Sequence, residues 1–188
     1  MFMKFAVKIS LVLLLSLLLA GCLTPEFKQY YFKVEADGSG VGYIEFINLL
    51  SDEKEDESRI LTDFNMLIND YLRGTEFEDK NRNYEVIEKK LYEKNGALNG
   101  IVHFKFDDYQ TIGFYHYQDD ANSLIFYYCD ELMEKPVEAN GQFPRGDDPI
   151  IYWPAGSTEF SFKTVVTEDT SVSSSLLELF HVWEKTNK

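Results

Sequence analysis

The chain has 188 residues, with 32 Asp and Glu against 18 Lys and Arg, for a formal charge of −14. So acidic a surface argues against a nucleic-acid binder, which needs a basic face to neutralise phosphates, and it is repelled by anionic headgroups. Fifteen Phe, twelve Tyr and two Trp exclude a disordered chain, because they supply enough large apolar side chains for a core.

Lys4 and Lys8 open the chain, and an apolar run from Ile9 to Ala20 leads into Gly21-Cys22. Charged start, apolar centre and small residues at a cut site are the order of an export signal. Twelve helical residues cover roughly 18 Å, short of the ~30 Å hydrocarbon core, so a permanent span is not expected. Leu19-Ala20-Gly21-Cys22 resembles the lipobox of bacterial lipoproteins. The resemblance implies that a signal peptidase recognises Leu19, Ala20 and Gly21, and that residues 1–21 are removed. It also implies that Cys22 is acylated and becomes the first residue of the mature protein. The bilayer is then a partner, held by at least two acyl chains, since one chain binds only marginally. The implied address is the cell envelope: the outer membrane in a diderm cell, where Leu23 and not aspartate follows the cysteine, and otherwise the outer face of the plasma membrane. With Cys22 committed to lipid, Cys129 has no partner for an internal disulfide. The apolar residues before it, Leu124 to Tyr128, make a packed thiol the expectation.

Residues 22–29, with Pro25, read as the lipidated cysteine and a short tether, and residues 30–188 as one globular domain. Tyr30 to Ala36 and Val41 to Ile47 read as a hairpin around the turn Asp37-Gly38-Ser39-Gly40. The acids Asp52, Glu53, Glu55, Asp56 and Glu57 precede a helix, where the macrodipole favours them. Its stripe of Ile60, Leu61, Phe64, Leu67, Ile68, Tyr71 and Leu72 repeats at three and four residues and faces a sheet. Gly74 is its expected stop. Tyr84 to Glu93 and Leu98 to Phe106 read as a second hairpin across Asn95-Gly96, with Val102, Phe104 and Phe106 opposite His103 and Lys105. Thr111 to Gln118 and Leu124 to Cys129 follow as strands, separated by a turn at Asp119, Asp120 and Asn122. Glu134 to Pro149 reads as a loop, Ile150 to Trp153 as a short strand, Pro154-Ala155-Gly156 as a turn and Phe160 to Val166 as the last strand. Ser175 and Glu178 suggest a capping box for a final helix with Leu176, Leu179, Phe180 and Trp183. The fold class that follows is α+β: an antiparallel, meander-like sheet packed against one long helix and a C-terminal helix.

Motifs that carry chemistry are few. Asp37-Gly38-Ser39-Gly40 lacks the ligand spacing of an EF-hand and the lysine of a P-loop, so it reads as a plain turn. The acids at 52–57 do not fold into a closed calcium shell. His103 sits on the polar face of its strand while His116 shares a face with Ile112 and Phe114, which separates them, and His181 has no evident partner. No Gly-x-Ser-x-Gly marks a nucleophile. Arg145-Gly146-Asp147 spells an adhesion tripeptide in an expected loop, a match short enough to arise by chance. No catalytic residue, metal ligand or cofactor is therefore assigned. The aromatic cluster Tyr115, Tyr117, Tyr127, Tyr152 and Trp153 is a candidate binding surface, because exposed rings stack on sugars or anchor a protein interface. Its alternative is a second core beneath the final helix.

The hairpin at residues 30–47, followed by a helix and a further hairpin up to residue 106, resembles envelope lipoproteins of the LppM-like type. That resemblance implies an envelope protein without known catalysis. The functional expectation is a membrane-anchored envelope lipoprotein acting as a non-catalytic binding or structural module, with an envelope protein or a glycan as partner. The alternatives are a small envelope hydrolase or metal-dependent enzyme, and a carrier with an apolar pocket between helix and sheet.

Overall fold

A computed structural model describes residues 23–117, 123–129, 134–144 and 148–187. The lipobox, the turn at Asp119, Asp120 and Asn122 and the tripeptide Arg145-Gly146-Asp147 lie outside the described residues. The architecture is α+β, with antiparallel pairing throughout the paired strands.

Alternation of apolar residues builds the large sheet. Strands β1 (Leu23–Val34) and β2 (Gly40–Ser51) form its central hairpin, joined by a turn in which Asp37 accepts from the Ser39 N–H and hydroxyl. Strands β3 (Glu85–Lys94) and β4 (Ala97–Phe106) form a second hairpin, in which Asn95 and Gly96 both take the positive φ that a two-residue turn demands. A small sheet holds β5 (Phe114–His116), β6 (Ile125–Tyr128) and β8 (Ile150–Trp153) in the order β5-β6-β8. Strands β7 (Lys135–Ala139) and β9 (Glu159–Val165) complete the large sheet, whose order is β3-β4-β2-β1-β9-β7, and β10 (Ser174–Ser175) pairs the far end of β2.

One face of the large sheet is buried. Tyr30, Phe32 and Val34 lie in register with Ile44, Gly42 and Gly40 on one side and, for the first two, with Phe162 and Phe160 on the other. Val102, Phe104 and Phe106 of β4 continue the row. Gly42 is required there: a Cβ would stand 2.6 Å from the Tyr31 carbonyl and 2.9 Å from the Phe104 ring. The opposite face carries Tyr31, Tyr43, Glu45 and His103 and is part-exposed, as a one-sided antiparallel sheet permits.

Two separate covers bury the inner face. The small sheet lies over one end, where Phe114, Tyr127 and Trp153 meet Phe32, Phe160 and Phe162 in edge-on and tilted ring contacts. The helices lie over the other. Helix α1 (Glu57–Met66) begins at Asp56, which caps the Ser58 and Arg59 N–H groups, and runs on as a π-type turn over Leu67–Leu72. After the short helix α2 (Glu76–Lys80), helix α3 (Leu177–Thr186) closes the chain. Phe64, Leu67, Ile68, Leu176 and Phe180 surround Leu49 and Leu98 in a second apolar cluster. Buried Asp63 ties α1 to the sheet by accepting the Ser51 hydroxyl.

Four expectations need correction. Residues 23–29 are not a tether but the first half of β1, paired as far as Leu23 with Ser51; Pro25 sits there opposite Leu49. Thr111 to Gln118 is not one strand: Tyr109–Ile112 is a 3-10 turn capped by Asp108, and Gly113 takes φ 101° before the three residues of β5. The stretch after Glu134 is not all loop, because β7 pairs with β9; its Pro136 is tolerated on the sheet edge. Ser175 accepts the Leu177 N–H at 3.3 Å, but Leu176 is the residue at the helix boundary.

Candidate functional site

The two covers do not meet over the whole sheet. Between them lies a chamber of about 310 Å³. Its floor is the inner face of β2 and β4, with Ile44, Phe46, Gly100 and Val102. Tyr127 of the small sheet walls one side, and Leu67, Tyr71 and Leu72 of the helical layer wall the other. The π turn places these last three: a turn closing on i+5 keeps Leu67 and Leu72 on one face, and the Arg73 N–H reaches back to the Ile68 carbonyl. Phe77 and Tyr84 close one end, with Tyr84 stacked on Phe104 at 4.1 Å. Leu23 and Pro25, from the start of β1, close another. An apolar cavity of about 150 Å³ is enough to hold benzene, so twice that admits a larger apolar body.

The charged groups lining the chamber are lysines, each held in place by a carboxylate. Lys28 pairs with buried Glu134 and lies 5.7 Å over the Phe46 ring. Glu134 also accepts from the Tyr30 hydroxyl at 2.9 Å and the Thr164 hydroxyl at 2.6 Å, so its charge is fully engaged. Lys89 donates to Glu78 at 2.8 Å and to the Gly74 carbonyl, which fixes α2 to the sheet. Lys80 donates to the Tyr71 hydroxyl at 2.7 Å and pairs with Glu76 at 3.0 Å. Among the described residues four lysines line the chamber and no carboxylate does, in a chain with nearly twice as many acids as bases. Burial, and the Glu134 charge after it, hold the Tyr30 hydroxyl well above the usual phenol range; burial alone does the same to Tyr84. Both stay protonated on the chamber wall, and Tyr30 donates to Glu134.

The residues singled out in the sequence are divided by the fold. Tyr127 and Trp153 belong to the core between the sheets, not to an exposed surface or to a core under the final helix, and Trp153 donates its ring N–H to Asn140 at 2.8 Å. Tyr115 and Tyr152 share the outer face of the small sheet with Phe126, on which Tyr115 stacks at 5.6 Å; Tyr117 is exposed beyond the end of β5. Leu19, Ala20, Gly21 and Cys22 lie outside the described residues. Cys129 is buried, and burial together with the Glu134 charge pushes its thiol up to about 12, so it stays a neutral packed group. His103 leans on Tyr43 on the open face of the large sheet, while His116 bonds the Tyr109 hydroxyl on the small one. His181 does have a partner, Glu93, at 2.9 Å. Among the described residues no three His, Cys, Asp or Glu side chains converge on a metal position, and no helix is long and apolar enough to cross a membrane.

No family model, curated protein or solved structure matches the chain. An apolar pocket between helix and sheet is one of the alternatives the sequence leaves open, but its lining is not legible there, because the walls come from seven separate segments: β1, β2, the π turn, α2 with the residues after it, β3, β4 and β6. One signal stood in the sequence: Gly100 interrupts β4 on its inward-facing parity, where a Cβ would stand 3.3 Å from Leu49 and 3.4 Å from Leu91. A glycine inside a strand often marks a place of close approach, and here it lets Leu49 and Leu91 come in against the β4 backbone.

Proposed function

We propose that this protein is an envelope lipoprotein, anchored through acylated Cys22, that binds an apolar molecule in the chamber between its helical layer and its sheet. The observation that carries the reading is positional: Leu23, the residue next to the lipobox cysteine, lines the chamber. An anchor at Cys22 would therefore hold the chamber against the bilayer surface, where apolar molecules are concentrated. Three features support a binding role over a catalytic one. The walls are apolar, the buried carboxylate beside them is occupied by three donors, and the tyrosines on them are held protonated. The acidic body would stand off anionic headgroups, leaving the anchor and the Leu23 end of the chamber to face the membrane.

The test uses the full chain in vesicles that contain a fatty acid with a photoactivatable tail. Cross-links on peptides spanning residues 64–77 and 98–104 are expected, because those walls face the bound chain. Cross-links confined to the segment beside acylated Cys22, equal to those of any anchored protein, would overturn the reading.

A further inference from the structure

A second cavity, of about 290 Å³, adjoins the chamber. The two share Lys80, Asn81, Tyr84 and Tyr127, so one partition of side chains separates them. Their chemistry is opposite. The second cavity is polar: Arg82, Asn83, Gln110 and Thr111 line it, with the hydroxyl-bearing rings of Tyr115 and Tyr128. Among the described residues no carboxylate lines it. The nearest acid on that loop, Asp108, is turned to accept the Gln110 N–H at 2.9 Å, and Glu76 is engaged with Lys80. Arg82 is exposed and has no carboxylate partner among the described residues. In a chain of charge −14, a polar hollow whose described lining holds Arg82 and the Glu76-paired Lys80 but no carboxylate is complementary to an anion. A guanidinium that makes no hydrogen bond or ion pair among the described residues suits a phosphate, which it engages through two parallel bonds.

We propose that the two cavities form one site for an amphiphile, with a single acyl chain in the apolar chamber and a phosphate-bearing head against Arg82 and Lys80 in the polar one. This rests on the chamber's being a binding site and adds the class of ligand. The membrane is the source of such a molecule. A single ligand would cross at the residues the two cavities share: Asn81 and Tyr84 belong to a segment that follows the five-residue helix α2, and the Asn81 amide is anchored on the Phe77 carbonyl at 2.8 Å.

The experiment is native mass spectrometry of the full chain in detergent, titrated with three probes: a monoacylglycerol phosphate, the monoacylglycerol of the same chain, and glycerol phosphate without a chain. The phosphate-headed lipid should bind at one per protein, about tenfold or more tighter than the neutral lipid. The substitution Arg82→Gln, at an exposed position, should bring it down to the neutral lipid's level and leave the neutral lipid unaffected. Glycerol phosphate should give no stable adduct. Equal binding of both lipids, unchanged by Arg82→Gln, would overturn the head assignment and leave the apolar chamber standing. Binding of glycerol phosphate as tight as that of the lipid would overturn the amphiphile. Failure of both lipids would overturn the chamber reading itself.

Discussion

Glu134 is the residue on which most depends. It is 5 % exposed and holds Lys28, Tyr30 and Thr164 at once, so it joins β1 to β9 beneath the chamber. Removing one member of a buried pair strands the other, at a cost of about 3–5 kcal/mol. Glu134→Ala should therefore lower unfolding stability by that amount in denaturant titration, and Glu134→Gln, which keeps an acceptor for the two hydroxyls, should cost less. Equal and small losses in both would show that the network is not structural. Neither Glu134 nor Lys28 carried a sequence signal, because they lie 106 residues apart and meet only through the pairing of β1 with β9.

At the scale of elements, Asp63 plays the comparable role. It is buried on the inner face of α1 and is reached by the hydroxyl of Ser51, at the end of β2. Asp63→Ala would leave that hydroxyl unsatisfied and should cost about 1–3 kcal/mol, read as a shift of the urea midpoint with an unchanged slope. Helix α1, the two hairpins and β9 were legible in the sequence, since each is long enough to repeat its period several times. The start of β1 was not: Leu23 to Gln29 lacks alternation because its neighbours change at Asn48, whose φ of 56° breaks the regular pairing while Asn99 accepts its N–H. Strand β7 carries Pro136 and no apolar alternation, and β5 is three residues long, below the length at which a period shows. The π turn was hidden for a different reason. Leu67, Ile68, Tyr71 and Leu72 fit an α-helical stripe equally well, so periodicity alone cannot mark the widened turn that exposes three of them to the chamber.

For the whole molecule, burial of weakly acidic groups sets the alkaline limit. The Cys129 thiol moves from an ordinary 9.0 to about 12, and the Tyr30 and Tyr84 hydroxyls rise above their ordinary 10.0. As pH climbs past these ordinary values, the unfolded chain releases protons that the folded chain keeps. The unfolded state then binds fewer protons, and stability falls with rising pH. Thermal unfolding should show a Tm that declines steadily above about pH 9, and a flat profile to pH 11 would contradict the burial of these groups. Sheet class and covering helices were predictable from pattern, but the division of the cover into a small sheet and a helical layer was not. That division depends on which strands follow β4, and it creates the chamber at the seam between two apolar clusters.

The most direct measurement of the central claim is thermal unfolding of the full chain with and without a medium-chain monoacylglycerol, beside the variant Val102→Phe, which puts a ring into the chamber floor. A ligand that binds only the folded state stabilises it by about 2.7 kcal/mol at a hundred times Kd, or roughly 5–10 °C for a domain of this size. That shift is expected in the parent chain, and its loss in the variant. An equal shift in both, or none in either, would contradict binding in the chamber.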